Sequence, residues 1–132
     1  MAALDTNILL RYLINDDVAQ STMAAELIDK AVAQHDTLFI PITVVLELDW
    51  VLKKNYGFDK VSRVSVFNHL LSAPEFSIQY EEAVESALSL FQTDSADFAD
   101  CLHLSIAHLM NELPLWTFDK KAAQMFGATL LN

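Results

Sequence analysis

Along the chain, short apolar runs closed by polar residues alternate with longer stretches whose apolar positions recur every three or four residues. The first run, Met1-Ala2-Ala3-Leu4, ends at Asp5, Thr6 and Asn7, and Ile8 to Ile14 follows with helical spacing. That pattern predicts a strand turning directly into a helix, with Asp5 at the turn. Asn15-Asp16-Asp17 interrupts it, and Met23, Leu27, Ile28, Ala31 and Val32 then form a second helical stripe. Thr37 to Ile40 reads as a strand stopped by Pro41, Ile42 to Tyr56 as a helix ended by Gly57. Asp59 is placed to cap a helix carrying Val61, Val64, Phe67, Leu70 and Leu71, which Pro74 stops. Phe76 to Gln79 is a third strand, Val84 to Phe91 a further helix, and Asp97 to Met110 another. Pro114 to Thr117, a short helix over Lys120 to Phe126, and Ala128 to Leu131 complete the alternation. Strands separated by helices predict one α/β domain over residues 1–132, a parallel sheet with helices on both faces. Ligands in such sheets bind beyond the carboxyl ends of the strands, which is where Asp5 and Asp119 fall.

A chain of 132 residues with 53% hydrophobic content can bury a core of its own. Its apolar runs are too short and too often broken by charge to span a membrane, its start lacks the basic flank of a signal peptide, and its one cysteine, Cys101, fits a reducing compartment. These features predict a cytoplasmic protein. The net charge of −10 opposes binding to phosphate, yet Arg11, Lys53, Lys54, Lys120 and Lys121 all lie within a few residues of Asp5, Glu47 or Asp119. Gly57 and Gly127 are the only glycines, which excludes a glycine-rich phosphate loop. A phospho-acceptor domain of the receiver type is disfavoured as well, because Asp5 has no acidic neighbour and Phe76 to Tyr80 contains no aspartate.

Four segments offer acids that could carry chemistry. Asp5 and Asp119 each precede a helix, so each is either a cap or a ligand. Glu47 interrupts the apolar run from Val44 to Leu52. On a helix, Val44, Val45, Leu48, Val51 and Leu52 face the core, and Asp49 and Lys53 face water as a pair. Glu47 then shares a narrow, half-buried stripe with Thr43 and Lys54, flanked by Trp50. Its alternatives are a salt bridge to Lys54 or Arg11, or a metal. Asp97 and Asp100 share one helical turn, opposite a buried face of Phe98, Leu102, Ile106 and Leu109; the dipole favours one acid there, and two repel unless a cation lies between them. Asp97 is the better cap and Asp100 the better ligand. Oxygen donors without clustered His or Cys favour Mg²⁺ or Mn²⁺, and such sites act on phosphates.

Taken in order, Leu4-Asp5-Thr6-Asn7, Pro41-Ile42-Thr43-Val44-Val45-Leu46-Glu47-Leu48, Asp97-Phe98-Ala99-Asp100-Cys101-Leu102 and Trp116-Thr117-Phe118-Asp119-Lys120-Lys121 resemble the motifs of the PIN-domain nucleases, in particular the VapC-type ribonuclease toxins of toxin–antitoxin pairs. The resemblance covers essentially the whole chain. It implies a three-layer α/β/α fold with a five-stranded parallel sheet in the order 3-2-1-4-5, and usually a homodimer. It also implies Mg²⁺- or Mn²⁺-dependent cleavage of RNA and a cognate antitoxin protein. By the same resemblance Asp5, Glu47, Asp100 and Asp119 are the catalytic acids, with Asp97 an additional or substitute metal ligand. Thr6, Asn7 and Thr117 support the acids, and Arg11, Lys54 and Lys120 contact the nucleic acid. His103, where a small or apolar residue is commoner, departs from the pattern. The competing reading is a catalytically inactive RNA-binding or scaffold module with the same fold.

Overall fold

The computed structural model describes residues 2–132; Met1, the first residue of the expected opening strand, lies outside the described residues. The elements follow the expected alternation: β1 (Ala2–Ala3), α1 (Thr6–Leu13), α2 (Val18–Ala33), β2 (Leu38–Ile40), α3 (Ile42–Lys54), α4 (Lys60–Ser72), β3 (Phe76–Ile78), α5 (Glu81–Thr93), α6 (Phe98–Leu109), β4 (Leu115–Thr117), a 3₁₀ turn (Ala122–Gln124) and β5 (Ala128–Leu130). The expected helix over Lys120 to Phe126 is thus reduced to a single 3₁₀ turn.

Every strand pair is parallel, but the strands form two sheets among the described residues, β1-β2-β3 and β4-β5. The neighbours agree with the order 3-2-1-4-5 except at the centre, where no ladder joins β1 to β4. Among the described residues the expected five strands are thus joined as three plus two rather than as one continuous sheet. Within the described residues β1 pairs Ala2 with Leu38 and Ala3 with Phe39 along one edge. Leu38, Ile40, Phe76 and Ile78 are buried, whereas Phe39 and Ser77, which are register partners, are exposed, so helices do not fully cover the second face here.

The core is built chiefly from helix faces. Phe67 of α4 stacks on Phe98 of α6 at 5.0 Å, and Phe91 of α5 meets the Phe98 ring edge-on at 5.7 Å. Val45, Leu48 and Leu52 of α3 are buried as the periodicity requires. Two expected stripes hold only in part, with Val64, Phe67 and Leu70 of α4 and Ile28 and Ala31 of α2 buried as expected. In α2 the buried residues are Ala24, Ile28 and Ala31, while Met23, Leu27 and Val32 are exposed; Ala24 and Ala31, with their small side chains, lie on the buried side. In α4 Val61 is 77% exposed and the buried face includes Arg63 instead. Leu109, at the end of α6, is also exposed.

Arg63 changes the expected surface chemistry of α3. Its Nε donates to Asp49 Oδ1 at 2.8 Å, and its Nη1 donates to the Phe58 carbonyl at 3.0 Å. Asp49 therefore lies buried in an ion pair rather than in water beside Lys53. The pair clamps α3 to α4. Helix α3 itself starts without help from Pro41, which has no side-chain donor or acceptor; Gln79 Oε1, just beyond β3, accepts from the Ile42 N–H at 2.9 Å and caps the turn from the neighbouring strand. The helix ends at Lys54, and Gly57, at φ +68°, reverses the chain two residues beyond the cap at Asn55.

Candidate functional site

The short strands end where the acids begin. Asp5 lies two residues past β1 and caps α1, its Oδ1 accepting from the Ile8 N–H at 3.1 Å. Capping and exposure fix its carboxylate at the rim rather than in the core. Thr6, the first residue of α1, is buried, and its hydroxyl donates to Glu47 Oε1 in α3. This contact ties the first motif to the second across 41 positions of sequence. Glu47 is exposed rather than half-buried, and Thr6 holds it in place of the salt bridge to Lys54 or Arg11 that the sequence left open.

Asp97 occupies the cap position of α6 without making a side-chain cap bond; its Oδ1 lies 3.5 Å from Lys53 Nζ. Asp100, one turn on, is half-buried and its side chain makes no hydrogen bond among the described residues. Burial pushes its carboxyl above the usual range, the nearby Asp119 and Asp97 raise it further, and His103 offsets part of this. At the end of β4, Asp119 Oδ1 accepts from the N–H groups of Lys121 at 2.8 Å and Ala122 at 3.0 Å, while the Thr117 hydroxyl oxygen accepts from the Asp119 N–H at 3.0 Å. Thr117 thereby fixes the backbone from which Asp119 projects.

Two hollows meet at Asp97. One, of about 610 Å³, is lined by Thr43, Glu47, Trp50, Lys53 and Lys54 together with Asp97. The other, of about 350 Å³, is lined by Ser95, Asp119, Lys120 and Lys121 together with Asp97. A third groove carries Asp5, Asn7, Ile8, Arg11 and the exposed Met23 and Leu27 of α2. Thr6 thus links the first acid-bearing segment to Glu47, and Asp119 and Asp97 stand near enough to Asp100 to raise its carboxyl.

Among the described residues no three acid or histidine side chains form a ready-made ligand set. The carboxylates are instead engaged locally. Asp5 and Asp119 take helix N–H donors, Glu47 takes a hydroxyl and Asp97 takes an ammonium, and each such bond draws its carboxylate toward its own donor. The residues nevertheless suit a hard divalent cation. All the candidate donors are carboxylate oxygens, and Asp100 stands in an electrostatic conflict with Asp119 and Asp97 that a double positive charge relieves.

The basic residues differ in availability. Arg11 is partly exposed but tied to its own fold, with its Nη1 3.0 Å from Asp16 Oδ1, its Nε 2.6 Å from Gln20 and its Nη1 3.4 Å from the Tyr56 hydroxyl. Lys54 and Lys120 make no ion pair among the described residues and line the two hollows. Asn7 makes no side-chain hydrogen bond among the described residues and lines the third groove beside Asp5. Sequence reasoning missed Lys53 as the partner of Asp97 and gave Trp50 no role, although Trp50 lies three residues past Glu47 on the same helical stripe.

The sequence model of the PIN domain matches residues 2–126. The chain belongs to the PIN-domain family. The match takes in all four acid-bearing segments of this PIN domain. A relative described as VapC ribonuclease, from Aquifex aeolicus (strain VF5), is 24% identical over 102 residues, covering 77% of this PIN domain and 75% of the relative. No helix among the described residues is long and apolar enough to cross a membrane.

Proposed function

We propose that this PIN domain is a metal-dependent endoribonuclease that acts as the toxin of a toxin–antitoxin pair in the cytoplasm, with residues 1–132 working as one unit. The observation that carries the reading is the crowding of Asp100, Asp119 and Asp97 at the strand ends, with Glu47 held by Thr6 on the far side of Asp97. Family membership and the resemblance to a VapC ribonuclease support the same conclusion. Asp5, Asp100 and Asp119 hold Mg²⁺ or Mn²⁺, with Asp97 as an additional ligand. When bound there, such a cation would supply a water of lowered pKa and offset charge on the phosphate. Glu47 orients the attacking water and accepts its proton, and its exposure leaves it open to solvent and substrate. Thr6 and Thr117 keep Glu47 and Asp119 in place, and Asn7 supports Asp5 at the rim. Lys54 and Lys120 bind phosphates flanking the scissile bond; Arg11, already bonded to Asp16, Gln20 and Tyr56, contributes chiefly by holding α1 and α2 together.

The partners follow from the same reading: RNA as substrate, a second copy of the chain, and a small antitoxin. The antitoxin lays an apolar segment along the groove of Met23 and Leu27 beside Asp5 and directs a basic side chain at the acids. Cleavage of RNA is expected with Mg²⁺ or Mn²⁺, and loss of cleavage in Asp5→Asn and Asp100→Asn. Equal activity in wild type and both variants would remove the claim.

The lack of a ready-made ligand set among the described residues leaves a second reading, a PIN fold that binds RNA or a protein without cutting. It predicts no heat of binding when millimolar Mn²⁺ is titrated in, whereas the first reading predicts binding that Asp100→Asn abolishes.

A further inference from the structure

Helix α3 carries Thr43, Glu47, Trp50 and Lys54 at successive intervals of four, three and four residues, and all four are exposed along one wall of the 610 Å³ cleft. Trp50 is 57% exposed, although an indole has the most to gain from burial and the core lies directly behind, at Leu48 and Leu52. Lys53 and Lys54 flank it on the same helix, and Glu47 is one turn away.

Charge decides what this wall can hold. The chain carries a net charge of −10, so a polyanion is repelled by the molecule as a whole. Two lysines, one already spent on Asp97, offset only a small part of that repulsion. Stacking of a base on an aromatic face does not depend on net charge, and every base has such a face. A base is free to stack only where it is not already paired and stacked in a duplex, so the wall selects single-stranded RNA.

We propose that Trp50 is the stacking platform for an unpaired base of single-stranded RNA, with Lys54 on the adjoining phosphate, and that this base sets which phosphodiester faces Glu47. The proposal rests on the ribonuclease reading for its substrate, but Trp50 binds RNA whether or not the chain cuts it.

The test separates binding from cleavage. In the Asp100→Asn background, with Trp116→Phe leaving Trp50 as the only tryptophan, a single-stranded oligoribonucleotide quenches the fluorescence in a saturable way and a duplex of the same length does not. Trp50→Ala in the Asp100→Asn background weakens the binding of the oligonucleotide roughly tenfold, and Trp50→Phe recovers most of it. Because only a phosphate or two is contacted, affinity falls weakly with salt. In the active chain Trp50→Ala raises KM and spreads cleavage over more than one phosphodiester of the oligonucleotide, because the base that fixes the register is no longer held. Equal quenching by duplex, or a Kd that Trp50→Ala leaves unchanged, would overturn the proposal and assign the exposed indole to a protein partner. Absence of cleavage in the wild type, with the tenfold loss of binding intact, would instead overturn the nuclease reading alone.

Discussion

Arg63 and Asp49 form a buried ion pair, Nε to Oδ1 at 2.8 Å, that joins α4 to α3 directly behind the wall carrying Glu47 and Trp50. Burial pushes the Asp49 carboxyl above the usual range, and the hydrogen bond and charge of Arg63 pull it only part of the way back. Removing Arg63 therefore strands a buried carboxylate, and Arg63→Met should cost about 3–5 kcal/mol at neutral pH. The sign with pH follows from linkage. A folded-state pKa above the unfolded value means that the folded chain takes up the proton first as pH falls. The deficit of Arg63→Met relative to wild type should then shrink between pH 8 and pH 5. Urea unfolding at the two pH values measures this, and a constant gap would show that Asp49 is not the cause.

Thr6 is buried with its hydroxyl on Glu47, and Thr6→Val keeps the volume while removing the donor. Stability should fall by only about 1 kcal/mol, since exposed Glu47 can bond to water instead. RNA cleavage should fall by roughly 10- to 100-fold, the usual loss when a group that orients an active carboxylate is removed. Thr6→Ser should restore most of the activity. An unchanged rate in Thr6→Val would remove Thr6 from the site.

The Asp100 side chain makes no hydrogen bond among the described residues, and burial with the nearby charges of Asp119 and Asp97 raises its carboxyl, so its charge is a cost to the fold. Asp100→Asn should therefore melt no lower than wild type in chelator, while losing cleavage. Millimolar Mn²⁺ should raise the wild-type Tm by several degrees, as a ligand of the folded state does, and should leave the variant unmoved. Differential scanning fluorimetry with and without chelator distinguishes these outcomes from simple unfolding of the variant.

Cys101 is fully buried beside the acid-bearing turn, and burial pushes its thiol up to about 11. Only the thiolate is nucleophilic, so iodoacetamide should leave Cys101 unmodified at pH 8 in the folded chain and alkylate it within minutes in denaturant. Modification of the folded chain at the same rate would show that α6 opens locally.

How much of this was legible beforehand differs by feature. The order of elements was, because apolar runs closed by Asp5 or Pro41 and stripes ended by Gly57, Pro74 or Gly127 are local properties of the chain. The Thr43, Glu47, Trp50 and Lys54 stripe was also legible, since helical geometry alone puts these residues on one wall. The outward turn of Val61 and Met23 was not, because periodicity gives a helix its stripe but not the neighbour it must fit.

The amino-acid sequence by itself determined which residues could carry chemistry, namely oxygen donors at helix starts following short strands, because capping, turn and periodicity are interactions among neighbours. Tertiary structure alone decided their partners: Thr6 with Glu47, Asp49 with Arg63, Lys53 with Asp97, and Asp100 against Asp119. Among the described residues it also joins the strands as three plus two. The cause is the same in each case. A carboxylate or a strand edge binds the nearest complementary group, and which group is nearest across the fold is set by packing rather than by the order of residues.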